Sequence, residues 1–131
     1  MSTANHPFNN LFTVTAALES GVGLLLVAVP SFVSRLLLGS SLEGPLGATV
    51  ARIAGGALLA LAIACWMARS DVESRAGKGV ASAMVFYNAA VATILAYAGM
   101  GLGLFSIGLW PVVLLHVGMA VWCVLSLKRA G

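Results

Sequence analysis

Four long apolar stretches, separated by short polar or glycine-rich segments, dominate the pattern of this chain. They cover approximately residues 8–29, 46–68, 80–98 and 104–127. Each is close to the roughly 20 apolar residues that a helix needs to cross a hydrocarbon core of about 30 Å. The pattern therefore predicts a single domain over residues 1–131, an all-α integral membrane four-helix bundle.

A proline interrupts the apolar pattern after the first span. Pro30 begins the stretch PSFVSRLLL, and Gly39 follows it. Because proline is favoured in the first turn of a helix and glycine at its end, we expect a short helix over residues 30–38. This helix would lie at the membrane interface with Arg35 facing the head groups. A kinked continuation of the first span is the alternative.

The composition indicates the environment of the chain. Hydrophobic residues make up 60% of the sequence and charged residues 8%, whereas a soluble domain carries about 25% charged residues. Such a chain has too few polar residues to cover a water-exposed surface, so it is predicted to lie in a lipid bilayer. The net charge is +3, and the basic residues are scattered along the chain rather than clustered. This distribution argues against a nucleic-acid partner.

The positions of the basic residues predict an orientation. Four spans place both termini and the polar loop RSDVESRAGKG on one face of the membrane. The same face collects most of the basic residues, namely Arg69, Arg75, Lys78, Lys128 and Arg129. By the positive-inside rule, we expect a multi-pass protein of the inner (plasma) membrane with both termini in the cytoplasm.

One strongly polar residue lies near the middle of each span. At about 1.5 Å per residue, Glu19, Asn88 and His116 lie roughly 14 to 16 Å from the cytoplasmic ends of their spans, and Arg52 roughly 20 Å. A lone ionised side chain at this depth costs at least about 2.5 kcal/mol. We therefore expect a Glu19–Arg52 ion pair inside the bundle. Asn88 and His116 would fill the remaining hydrogen bonds, and Tyr87 would add a hydroxyl nearby.

Each of these residues also has a structural interpretation. Arg52 can instead reach the outer interface through its long side chain, and Glu19 can be protonated and merely hydrogen-bonded. Asn88 can join two helices rather than contact a ligand. His116 can be a hydrogen-bonded structural side chain, or it can be a proton acceptor or ligand group.

Small residues share helix faces with the polar ones. Gly23 follows Glu19 at a spacing of four residues, and Gly56 follows Arg52 at the same spacing. Small residues let membrane helices approach closely, so that packing and hydrogen bonds can hold them together. We therefore expect these faces to point toward protein rather than lipid.

No set of residues specifies a metal site or a reaction. His116 is the only histidine within an apolar stretch, and no HxxxH or HxxE pair accompanies it. Cys65 and Cys123 form no CxxC motif, so apolar packing is their expected role. The sequence identifies no cofactor and does not predict an enzyme, although an enzyme acting on a lipid or quinone remains an alternative.

The stretch VARIAGGALLALAIACWMAR, residues 50–69, and the glutamate in the first span resemble small bacterial membrane proteins of the DoxX-like type or a neighbouring family. Those proteins are four-helix bundles, commonly with an arginine followed by small residues early in the second span. The resemblance implies a bacterial membrane protein associated with quinone-linked sulfur oxidation or with a redox membrane complex. It carries over no catalytic residue.

Three functions follow as hypotheses. In the first, a hydrophobic ligand, quinone-like or lipid-like, sets its polar head on a mid-membrane cluster of Glu19, Arg52, Tyr87, Asn88 and His116. In the second, the chain is an accessory subunit of a larger membrane complex or forms a homo-oligomer. In the third, an oligomer transports protons or small solutes, because four spans are too few for a lone transport pathway.

Overall fold

The computed structural model describes residues 7–129 of the chain. Within them lie five helices, α1 (Pro7–Ala28), α2 (Pro30–Leu38), α3 (Gly44–Ala68), α4 (Arg75–Gly101) and α5 (Leu109–Arg129). This part of the chain contains no strand. The four longer helices are long and apolar enough to cross a membrane. The predicted all-α membrane bundle with a short helix after the first span is confirmed.

The short helix α2 is separate from α1. Val29 has φ −135° and ψ 59°, outside the helical region, and Pro30 occupies the first turn of α2. The helix ends where Gly39 adopts a left-handed conformation with φ 72° and donates its N–H to the carbonyl of Arg35 at 3.0 Å. Glycine suits this position because it has no Cβ to clash. Of the two predicted alternatives, the separate helix is the one that forms.

Two close backbone approaches hold α2 across the end of the bundle. The N–H of Gly108 donates to the carbonyl of Leu36 at 3.2 Å. A side chain at Gly108 would collide with that same carbonyl oxygen, and one at Gly39 would collide with the carbonyl oxygen of Phe105. The segment that leads into α5 is therefore packed directly on the last turn of α2.

The connection between α4 and α5 differs most from the predicted spans. The sequence pattern ends the third span at residue 98 and begins the fourth at residue 104. In the structure α4 continues to Gly101 and α5 begins only at Leu109. Gly103, two residues after the end of α4, adopts a left-handed conformation with φ 66°, which prevents the helix from continuing. Pro111 lies in the first turn of α5, where its missing N–H costs nothing.

The four long helices associate as two antiparallel pairs. α1 packs along α3 and α4 packs along α5, whereas the two pairs meet over a smaller area. At the crossing of α1 and α3, a Cβ on Gly55 would lie 2.7 Å from the carbonyl oxygen of Gly23. Gly23 is thus a close-contact glycine, as the pattern predicted. Its partner on α3 is Gly55, because Gly56 faces open space.

Side chains fill the space between the pairs at one end of the bundle. This end, called the packed half below, is where α1 and α4 begin and where α3 and α5 end. Its core consists of Leu11, Phe12, Ala16, Cys65, Val72, Ala81, Met84, Met119 and Cys123. Cys65 and Cys123 are free thiols and fully buried. They serve as small apolar side chains in this core.

Candidate functional site

Toward the other end, side chains of the two helix pairs line a partly open cavity of about 440 Å³. Its walls are largely leucine and valine side chains of the long helices, such as Leu25, Leu95 and Leu115. Phe32 and Leu36 of α2 complete the lining. The volume falls within the range of roughly 300 to 1,000 Å³ that is typical of small-molecule sites. This end is called the cavity half below.

Four polar side chains lie together on the cavity wall near the middle of the spans. Glu19 comes from α1, Tyr87 and Asn88 from α4, and His116 from α5. These four residues are called the polar cluster. Every other described residue that lines the cavity is apolar. The lining therefore suits a molecule that is apolar along its length and polar at one point.

A hydrogen bond between Tyr87 and Glu19 connects the two helix pairs. The Tyr87 hydroxyl donates to Oε2 of Glu19 at 2.9 Å. Glu19 is only 6% exposed, so this bond satisfies one oxygen of a buried carboxyl group. The other oxygen, Oε1, makes no hydrogen bond to any residue that the structure describes. It remains available to a partner from outside the chain.

A second hydrogen-bonded group connects α4 to α5. Nδ2 of Asn88 donates to the carbonyl of Met84 at 2.8 Å, and Oδ1 of Asn88 lies 2.8 Å from Nδ1 of His116. Asn88 is 1% exposed, and both ends of its amide are paired. The rings of Tyr87 and His116 meet edge to face, with centroids 5.7 Å apart. This contact places the two hydrogen-bonded groups side by side.

Arg52 does not belong to the polar cluster, which corrects the predicted site. Its Nε donates to the carbonyl of Val27 at 3.1 Å, and the residue is exposed. The predicted Glu19–Arg52 ion pair does not form between these residues, since Glu19 is bonded to Tyr87 instead. Val27 lies eight residues beyond Glu19 on α1, a helical rise of roughly 12 Å.

The end of α1 explains this position of Arg52. The last four carbonyls of a helix, here including that of Val27, have no intrahelical donor. The arginine side chain of α3 supplies a donor to Val27, and its positive charge suits the negative end of the α1 dipole.

Sequence reasoning also missed the contribution of α2 to the cavity. Phe32, Val33, Leu36 and Leu37 all line it. The spacing of the last three, at i, i+3 and i+4, is the pattern of a helix with one buried apolar face. This spacing indicated a face directed at the bundle. It did not indicate that the bundle beneath that face leaves a cavity.

The fold and the cavity define the class of this chain, a small multi-pass helical membrane protein with a cavity between two helix pairs. Comparison with known proteins finds no matching protein family, no matching curated protein and no matching solved structure. The resemblance to DoxX-like proteins therefore stays a prediction. The cavity and the polar cluster are the features of the described chain that bear on its function.

Proposed function

We propose that this protein binds a hydrophobic small molecule, quinone-like or lipid-like, in the cavity between its helix pairs. The observation that carries the proposal is the polar cluster on an otherwise apolar wall. The apolar body of the ligand packs against the leucines and valines, and its polar end meets the cluster. Arg52 takes no part, because it is bonded outside the cavity lining.

The hydrogen bonds of the cluster support binding over a purely structural role. A network that only joins helices tends to pair all of its buried polar atoms. In the described part of the chain, Oγ1 of Thr15 is the one fully buried side-chain polar atom without a partner. Oε1 of Glu19 and Nε2 of His116 also lack a protein partner, so they must keep some accessible surface. Both residues line the cavity, which is where that surface can meet a ligand.

Mass spectrometry of the gently extracted protein tests the proposal. We expect a non-protein molecule to copurify with the wild-type chain. Ala54 lines the cavity, so Ala54→Phe should fill part of it and lower the bound amount at least several-fold. Ala57 lies one turn further along α3 and is exposed without lining the cavity. The matched variant Ala57→Phe should retain the ligand.

Two results would contradict ligand binding at this site. One is a wild-type protein that carries no molecule in any lipid or mild detergent preparation. The other is equal loss of the molecule in Ala54→Phe and Ala57→Phe, which would indicate lipid bound to the outer surface. Both variants must unfold at similar denaturant concentrations for the comparison to hold.

A groove on the outside of the α1–α3 pair favours a second candidate function, that of an accessory subunit or homo-oligomer. The groove has a volume of about 320 Å³, and most of its lining is small, including Ala16, Ala17, Ser20 and Ala62. Small residues on a membrane helix permit close approach of another helix. Transport of protons or solutes would also need such an assembly.

Crosslinking in native membranes tests the second candidate. Ala17→Leu would block the groove without entering the cavity, because Ala17 is exposed and lines only the groove. Loss of a crosslinked dimer or larger complex in this variant supports the accessory role. A chain that remains monomeric in the wild type contradicts it.

The charges at the packed half support a location and an orientation. Arg69 directly follows α3, Arg75 begins α4, and Lys128 and Arg129 end α5, so these cations lie at one end of the bundle. By the positive-inside rule, this end faces the cytoplasm of a bacterial inner (plasma) membrane. Both termini, which lie outside the described residues, would then be cytoplasmic. Labelling of a cysteine introduced at Ser70 with a membrane-impermeant reagent tests this orientation.

A further inference from the structure

We propose that the polar end of the ligand is a hydroxyl group that donates its proton to Nε2 of His116. This inference rests on the proposed function and specifies the chemistry of the same site. It selects alcohols and phenols, including reduced quinone-like molecules, over ketones, esters, ethers and oxidised quinones. The hydrogen bonds of Asn88 fix the position of a proton on His116, and that position determines which head group can pair with Nε2.

The contact with Met84 fixes the orientation of the Asn88 amide. A backbone carbonyl oxygen can only accept a hydrogen bond. The amide atom 2.8 Å from the Met84 carbonyl must therefore be the nitrogen, Nδ2. The amide oxygen, Oδ1, consequently faces Nδ1 of His116 at 2.8 Å. Since an amide oxygen is also only an acceptor, Nδ1 of His116 must carry the hydrogen.

A neutral histidine with its hydrogen on Nδ1 has an acceptor at Nε2. No described residue donates to that nitrogen. The neighbouring Tyr87 hydroxyl gives its single proton to Glu19, and the Tyr87 ring meets the imidazole edge to face. Nε2 of His116 is therefore an unpaired acceptor in a residue of the cavity wall.

The charges of the cavity wall narrow the choice of head group. The described lining contains no lysine or arginine, so an anionic phosphate or carboxylate would have no counter-charge there. An ammonium head would carry a full charge to mid-membrane depth, which is costly, and Glu19, the one acidic residue in the described lining, already accepts a hydrogen bond from Tyr87. A ketone or ether offers only an acceptor and would leave Nε2 unpaired. A neutral hydroxyl donates to Nε2, and its oxygen lone pairs remain free.

Nitrogen NMR of histidine side chains tests the inference in the protein reconstituted in lipid nanodiscs. The sequence has two histidines, and His6 lies outside the described residues. A His6→Gln background therefore gives the signals of His116 alone. The probes are 1-dodecanol and its isomer 1-methoxyundecane, which have equal size but differ in the presence of a donor. A ¹³C label on the methyl group of Met119, which lines the cavity, reports entry of either probe.

We expect the ligand-free spectrum to show a protonated Nδ1 and an unprotonated Nε2. The alcohol should shift the Nε2 signal and the Met119 methyl signal together. The ether should bind about tenfold or more weakly, because it leaves a buried acceptor unpaired. In His116→Phe the alcohol should lose its preference over the ether, while either probe still shifts Met119.

The outcomes separate this inference from the proposed function. If both probes shift Met119 with equal affinity and neither moves Nε2, the cavity binds apolar molecules but the hydroxyl assignment is wrong. A hydrogen found on Nε2 in the ligand-free protein would also overturn it. If neither probe shifts Met119 at any concentration, the proposed function itself fails. The wild-type measurements test whether a ligand hydroxyl donates to Nε2 of His116 even if His116→Phe does not fold.

Discussion

The packed half and the cavity half are built from the same four helices, yet they are held together differently. In the packed half, apolar side chains such as Leu11, Met84 and Cys123 interlock between the two helix pairs. In the cavity half, the pairs are joined across their gap by α2 and by the bond from Tyr87 to Glu19. The difference is that one end of the bundle is filled by its own side chains, whereas the other leaves a cavity between the helix pairs.

The polar cluster lies at the boundary between these halves. Met84 belongs to the core of the packed half, and its carbonyl fixes the amide of Asn88. Asn88 in turn orients His116, which lines the cavity. The packed half thus contributes the contact that orients the polar groups of the site. Preorganisation of this kind lowers the ordering cost of binding.

The largest expected effect concerns the crossing of α1 and α3 beside the cavity. A Cβ on Gly55 would lie 2.7 Å from the Gly23 carbonyl oxygen and 2.9 Å from Cβ of Leu26. Because backbone atoms cannot move aside easily, Gly55→Leu should lower the free energy of unfolding by about 3 kcal/mol or more. Unfolding in SDS, followed by the fluorescence of the three tryptophans, measures this change.

The adjacent glycine provides the matched control for this substitution. Gly56 has open space where a side chain would be placed. Gly56→Leu should therefore change the free energy of unfolding by less than about 0.5 kcal/mol. Equal destabilisation by both substitutions would contradict the close approach of α1 and α3 at Gly55.

The next effect compares two leucines on α1, one in each half. Leu11 is 0% exposed in the packed half, whereas Leu25 lines the cavity and is 42% exposed. Leu11→Ala should cost about 1 to 2 kcal/mol, less than in a water-soluble core because lipid is as apolar as leucine. Leu25→Ala should cost under about 0.5 kcal/mol.

The same two leucine variants also separate stability from binding. Leu25→Ala should alter ligand affinity because it changes the cavity wall, while Leu11→Ala should leave the affinity of the folded protein unchanged. SDS unfolding and ligand titration of both variants measure the two properties. A larger loss of stability in Leu25→Ala would contradict the division of the bundle into halves.

The sequence predicted the helices better than it predicted their contacts. The apolar stretches and the signals at Pro30 and Gly39 were sufficient for the bundle and for α2 over residues 30–38. The predicted bounds of the fourth span, 104–127, miss the late start of α5 at Leu109, since its preceding loop, residues 102–108, is itself apolar enough to continue a span. Hydropathy measures lipid compatibility, and it does not measure whether a segment is helical.

The depth of a polar residue in the membrane is not enough to predict which side chains it contacts. Glu19, Asn88 and His116 were expected at similar depths, and the structure brings them together on the cavity wall. Depth alone could not show that Arg52 would bond to the end of α1. It also could not distinguish Gly55 from Gly56, because neighbouring residues on a helix differ by rotation about the axis rather than by depth.

A smaller effect concerns the hydrogen bond between the two helix pairs. Tyr87→Phe removes the donor to Glu19 and should lower the free energy of unfolding by about 0.6 kcal/mol, the average for such bonds between membrane helices. Tyr97 is exposed on the same helix, so Tyr97→Phe should have no measurable effect. SDS unfolding of both variants checks the difference. A loss of several kcal/mol in Tyr87→Phe would mean that the cavity half depends on this bond far more than its single contact indicates.

The smallest expected effect is that of replacing Arg52, and it tests whether Arg52 and Glu19 interact. An ion pair buried between the helices would make the removal of one partner cost about 3 to 5 kcal/mol. The structure instead bonds Arg52 to Val27 and Glu19 to Tyr87. Arg52→Gln should therefore cost only about 0.3 kcal/mol, the low end of the range for a cation at a helix terminus. In a double-mutant cycle with Glu19→Gln, the two effects should add within about 0.5 kcal/mol, as they do for independent sites. A coupling energy well above that value would place the guanidinium beside the carboxylate and return Arg52 to the polar cluster.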